Sequence, residues 1–136
     1  MTAPSSSAHV LLVDDEAYFR TFVGKVLSKS FNCTISEAMN GQQAIDMCRT
    51  KQPDMILLDI NMPLVNGVEA LRQIRQFNAD VPIVMLTSIS EEAVVEECVT
   101  LEASYFIRKD VYADQLKSEI KAMLEMFFPD ATPANE

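Results

Sequence analysis

DMILLDINMP, residues 54–63, runs four consecutive apolar side chains, Met55 to Leu58, straight into a carboxylate at Asp59. A short run without polar alternation predicts a strand covered on both faces, as in a parallel sheet. Pro63 lacks a backbone donor and ends any extension of that strand. The strand therefore delivers an acid to its own tip.

The same grammar recurs along the chain. Further short apolar runs stand at Val10–Val13, Thr34–Ile35, Ile83–Leu86 and Tyr105–Ile107. A stretch with helical spacing follows each one. Phe19, Phe22, Val23, Val26 and Leu27 form one helical stripe. Asn40–Gly41 opens a second helix carrying Ala44, Ile45 and Cys48, and Val68, Leu71 and Ile74 mark a third. Val94, Val95, Cys98 and Val99 mark a fourth, with Ser88 or Ser90 as its cap and two glutamates in its first turn. Leu116, Ile120, Met123, Leu124 and Phe127 mark the fifth. Strands alternating with helices, joined by right-handed crossovers, predict a doubly wound α/β sandwich.

The 136 residues suit one domain, expected over 9–128, with flexible tails at 1–8 and 129–136. A net charge of −9 argues against direct nucleic-acid binding. No apolar run reaches the length of a membrane span, and Met1–Ala8 lacks the features of a signal peptide; the cysteine usage leads us to expect a reducing cytoplasm. Cys33, Cys48 and Cys98 have no metal-ligand spacing and read as buried free thiols.

In a doubly wound sheet, ligands sit beyond the carboxyl ends of the strands. There the sequence puts Asp14 and Asp15 after the first strand, Asp59 after the third, Thr87 and Ser88 after the fourth, and Lys109 after the fifth. Three neighbouring carboxylates repel one another until a cation joins them. Oxygen ligands without histidine or cysteine suit a hard ion, magnesium above all, with manganese as an alternative. Lys109 and Thr87 complete a cradle for a phosphoryl dianion, and a strand-end carboxylate can be the nucleophile that accepts it.

At these residues the chain resembles the receiver domain of two-component response regulators. VLLVDDE (10–16), LLDINMPLVNG (57–67), VMLTS (84–88) and FIRKD (106–110) carry the resemblance, which covers about residues 9–128. It implies a flavodoxin-like (βα)5 sandwich with strand order 2-1-3-4-5. It makes Asp14 and Asp15 the acidic metal pair and Asp59 the phosphoacceptor. Asn61 becomes a metal ligand through its backbone carbonyl, Thr87 the switch hydroxyl, Lys109 the phosphate-contacting lysine and Phe106 the switch aromatic. The implied partners are a sensor histidine kinase or histidine phosphotransfer protein. A downstream protein or a second copy would engage the fourth helix, fifth strand and fifth helix. The chain would be a phosphoacceptor switch with limited self-phosphorylation and self-dephosphorylation, rather than an enzyme with a diffusible substrate.

Three positions depart from that pattern: Asp110 follows Lys109 where proline is usual, often after a cis peptide; Ser88 replaces a small apolar residue; and Leu101-Glu102-Ala103 lacks a glycine. Each site residue also has a plain structural reading. Asp14 and Asp15 can cap the first helix, Asp59 can be a turn residue, Lys109 a surface lysine, and Phe106 core. His9 is expected on the surface, and Gly67 is expected to answer a backbone requirement. Rival functions are an aspartyl-phosphate hydrolase, which would carry an acid where Asn61 stands, and a constitutive binding module.

Overall fold

The computed structural model describes residues 8–88 and 92–130. Most of the two expected tails lies outside the described residues, as does Ser90, one candidate cap of the fourth helix. The elements alternate as expected: β1 Ala8–Val13, α1 Ala17–Ser30, β2 Cys33–Ala38, α2 Gly41–Lys51, β3 Met55–Asp59, α3 Gly67–Phe77, β4 Ile83–Thr87, α4 Glu92–Thr100, β5 Tyr105–Arg108 and α5 Ala113–Phe127. The sheet is parallel, in the order β2-β1-β3-β4-β5. This is the flavodoxin-like arrangement, with the order of strand addition reversing between β1 and β3.

Strand periodicity divides the core in two. Val10, Leu12, Met55, Leu57, Val84 and Leu86 point to the face covered by α1 and α5. Their neighbours Leu11, Val13, Ile56, Leu58, Ile83 and Met85 point to the face covered by α2, α3 and α4. Every residue of β3 and β4 is buried, which is why those runs lack polar alternation. β2, an edge strand, extends well beyond its apolar pair Thr34–Ile35. Its backbone pairs with β1 through Ala38 whatever side chains it carries.

Asn40 and Asn66 cap α2 and α3, their side-chain oxygens accepting from Gln43 N and Glu69 N at 2.9 and 3.0 Å. The α4 stripe is thinner than its spacing suggests. Cys98 alone is fully buried, Val94 packs on the core, and Val99 is 58% exposed. His9 is half-buried rather than on the surface, its Nε2 lying 2.7 Å from Ser36 Oγ and its N–H donating to Asp54 Oδ2. All three cysteines are free; burial pushes the thiols of Cys48 and Cys98 up to about 12 and about 11.

Where a glycine is missing before β5, Glu102 takes the left-handed conformation at φ 68°. The Arg75 guanidinium holds it there, donating to the Glu102 carbonyl from Nη2 at 2.8 Å and from Nε at 3.2 Å. Left-handed backbone costs an L-residue about 1–2 kcal/mol, part of which glycine gives back as extra freedom in the unfolded chain. Glu102→Gly is therefore expected to raise stability by about 1 kcal/mol, read as a higher urea midpoint at unchanged slope. A lower midpoint would mean that the Glu102 side chain contributes more than its backbone costs.

Candidate functional site

β1 and β3 are neighbours and end at the same level, so Asp14 and Asp59 arrive side by side. Asp14, Asp15 and Asp59 each offer an oxygen within 4.8 Å of the others. Asp14 is fully buried, Asp59 is 3% exposed, and Asp15 is open to solvent. Asp14 and Asp15 do not cap α1. Its N-cap is Glu16, which makes no side-chain capping bond, and Asp14 Oδ1 accepts the Glu16 N–H at 2.9 Å.

Lys109, just past β5, reaches across the strand ends into this cluster. Its Nζ lies 2.7 Å from Asp14 Oδ2, 3.1 Å from Glu16 Oε1 and 3.4 Å from Asp59 Oδ2. The ammonium also sits 4.5 Å from the centre of the Phe19 ring, a cation–π contact that shields it from water. The Lys109 N–H donates to the Thr87 carbonyl at 2.8 Å, which ties the lysine to the end of β4. Thr87 itself is 5% exposed.

Burial is the main force on the two inner acids. It pushes Asp59 up to about 7, with the Asp14 charge adding to it and Lys109 opposing. Burial also raises Asp14, against the pull of Lys109 and the Glu16 N–H. Burial works against the charge on Lys109, but Asp14, Asp59 and Glu16 outweigh it and raise its pKa. One cation thus faces three carboxylates and does not satisfy them. Asp14 Oδ2, buried, has no well-aligned hydrogen-bond donor among the described residues, only the ammonium. Clustered oxygen donors with a lone pair to spare fit a hard divalent ion.

The remaining expected residues lie around this core. Asn61 is exposed, two residues beyond Asp59. Phe106 lies opposite Met85 on β5, half-buried and packed on the α2–α3–α4 side. The described peptide bonds are all trans, that before Asp110 included. Asp110 receives a bidentate pair from Arg108, Nε to Oδ1 at 2.8 Å and Nη2 to Oδ2 at 2.5 Å.

Sequence reading missed three residues here. Glu16 pairs with Lys109, Phe19 stacks on it, and Arg20 bonds both the Asp14 carbonyl and Glu37 at 2.7 Å. Only Glu16 left a signal, as the third acid of Asp14-Asp15-Glu16. Gly67 is the backbone requirement expected of it. A Cβ there would stand 2.0 Å from the Asp59 carbonyl oxygen.

Fold and site together define a class: a doubly wound α/β protein that gathers carboxylates and one ammonium beyond its strand ends. The chain belongs to the response regulator receiver domain family, whose model matches residues 10–121. It is 32% identical over 115 residues to the chemotaxis protein CheY of Bacillus subtilis, covering 85% of this chain and 96% of that one. It is 43% identical over 103 residues to a protein-glutamate methylesterase/protein-glutamine glutaminase of Treponema pallidum. That match covers 74% of this chain but only 26% of the longer relative. The response regulator domain of Thermotoga maritima CheB superposes with a TM-score of 0.79 at 28% identity, covering 89% of this chain and 96% of that one.

Proposed function

We propose that this chain is a phosphorylation-driven switch of two-component signal transduction. Its receiver unit would span 9–128, working in the cytoplasm. The carrying observation is the placement of Asp59: a buried strand-end carboxylate beside Asp14 and 3.4 Å from the Lys109 ammonium. A phosphohistidine on a sensor kinase or phosphotransfer protein would be the donor. An Asp59 carboxylate oxygen attacks phosphorus, the P–N bond breaks, and its electron pair leaves on the imidazole.

Asp14, Asp15 and Asp59, with the Asn61 backbone carbonyl, would hold magnesium or manganese. Such an ion supplies positive charge for the equatorial oxygens in transfer. The protein's own residues do the rest. Lys109, pinned to the Thr87 carbonyl, pairs with the incoming dianion in place of the carboxylates it now contacts. The Thr87 hydroxyl moves to a phosphoryl oxygen, and Phe106 turns inward into the space left on its side of the sheet. That biases the α4–β5–α5 face, where a downstream protein or a second copy binds. The same site hydrolyses its own phosphate slowly, with no diffusible substrate.

The test is intact mass after incubation with a small acyl phosphate, with and without magnesium. Wild type is expected to gain one magnesium-dependent, base-labile phosphoryl group, and Asp59→Asn none. Undiminished labelling of the variant sinks the assignment of Asp59. No adduct on wild type under any condition favours a constitutive binding module, with Asp110→Pro the first reversion to make.

A further inference from the structure

The chain is strongly acidic, yet four of its six lysines gather in one place. Lys25 and Lys29 stand one helical turn apart on α1, and Lys117 and Lys121 stand one turn apart on α5. The two helices pack against each other over the same face of the sheet, and all four side chains are exposed. None belongs to an ion pair among the described residues. Like charges at this spacing cost a helix a few tenths of a kcal/mol per pair. Here two such pairs line one groove, and the repulsion within each is offset only in part, by the α1 dipole at Lys29 and by Glu125 one turn beyond Lys121.

Between these two rails lie adjoining hollows of about 390 and 360 Å³, sharing Lys29, Ser30 and Lys121. Their floor is apolar: Phe22, Val26, Leu124 and Phe128, with Phe128 held against Phe31 at 5.4 Å between ring centres. The one acid on the rim is Glu125. The groove runs from Phe22 to Phe31 along α1 and its end, and from Lys117 to Pro129 along α5 and its end. Lys25 is nine residues beyond Glu16, or about 13 Å along the helix axis from the acidic cluster.

We propose that this groove docks an acidic amphipathic helix of a partner protein, at a site separate from the phosphoryl site. An apolar floor between cationic rails takes a helix that buries a hydrophobic stripe and flanks it with carboxylates. Rails with a four-residue repeat match glutamates at the same repeat. A polyanion such as nucleic acid or an anionic membrane fits less well. It would meet four cations on a body of net charge −9, whereas a helix brings few charges and gains its affinity from the floor.

The test uses the whole chain and a fluorescein-labelled synthetic helix with glutamates on both flanks of a leucine stripe, followed by anisotropy. Saturable binding that weakens with salt is expected. Lys25→Glu/Lys121→Glu should weaken it at least tenfold, while Lys51→Glu, on α2, should not. Asp59→Asn should bind the helix as wild type does, so failure of the phosphoryl assignment and failure of the groove are read separately. Lys25→Glu turns its repulsion of Lys29 into attraction, while Lys121→Glu gains Lys117 and loses Glu125 at the same spacing, so the double variant should keep its urea midpoint or raise it slightly. Equal binding of the same peptide with lysines for glutamates overturns the proposal. So does tighter binding of single-stranded DNA or phosphatidylserine vesicles, or no saturable binding at all.

Discussion

In EDTA at pH 8, Asp59→Asn is expected to be more stable than wild type by about 2–4 kcal/mol, and at pH 4 the two should be nearly equal. In the unfolded chain the Asp59 carboxyl titrates near its ordinary value of 3.8; in the folded chain burial and Asp14 hold its proton until about 7. Between those values the folded state binds more protons than the unfolded state, so stability falls as pH rises. Below the lower value both states are protonated and nothing is lost. Above the upper one both are ionised, and the cost is complete and constant. An asparagine of the same shape never ionises and escapes that cost. The difference of about three pKa units sets the upper figure, at 1.36 kcal/mol per unit. Asp14, raised in the same direction, adds a parallel slope to both proteins.

Magnesium should close this gap, because an ion that binds only the folded state stabilises the protein that holds it better. Urea midpoints from pH 4 to pH 8, with EDTA and with magnesium, measure all of this. A gap independent of pH, or a less stable variant at pH 8 in EDTA, would mean that the three carboxylates do not repel one another as their positions require.

That destabilised cluster was legible in the sequence because strand ends in a parallel sheet share one edge. Once Val10–Val13, Met55–Leu58 and Ile83–Leu86 read as buried parallel strands, Asp14, Asp59 and Thr87 fell on one edge, and the strand order implied by the resemblance made those strands neighbours, as they are. Periodicity also placed the helices, since their apolar stripes face that sheet.

It could not place contacts made by side chains that point along no period. Arg20 reaches from α1 to the Asp14 carbonyl, and Arg75 from α3 to the Glu102 carbonyl. The first depends on how the β1–α1 loop folds back over six residues, the second on the approach of two elements 27 residues apart in sequence. Phe19 scored as one more core position of α1, and nothing local says that its ring lies under an ammonium. The β2 boundary was invisible for another reason. An edge strand is held by backbone bonds, which leave no mark on side-chain pattern.

Gly67→Ala is expected to cost about 3 kcal/mol or more and to slow phosphoryl labelling of Asp59 in proportion to the displacement it causes. α3 starts hard against the end of β3, with the Gly67 N–H donating to the Ile60 carbonyl at 2.8 Å. A methyl on Gly67 would stand 2.0 Å from the Asp59 carbonyl oxygen and 2.7 Å from Ile60 Cα. Both are backbone atoms, so no rotamer change makes room. Either α3 backs away, opening the layer around buried Ala70 and Leu71, or the end of β3 shifts and takes Asp59 with it. Backbone conformation is not the cause, since no glycine in the chain has positive φ. Gly24→Ala separates the two effects. On α1 its added methyl comes no closer than 3.9 Å, to Ile35 Cδ1. There alanine's helix propensity should give about 0.5–1 kcal/mol of added stability with labelling unchanged. Equal midpoints for the two alanine variants would mean that α3 can withdraw at no cost, and that the close approach does not fix the phosphoacceptor.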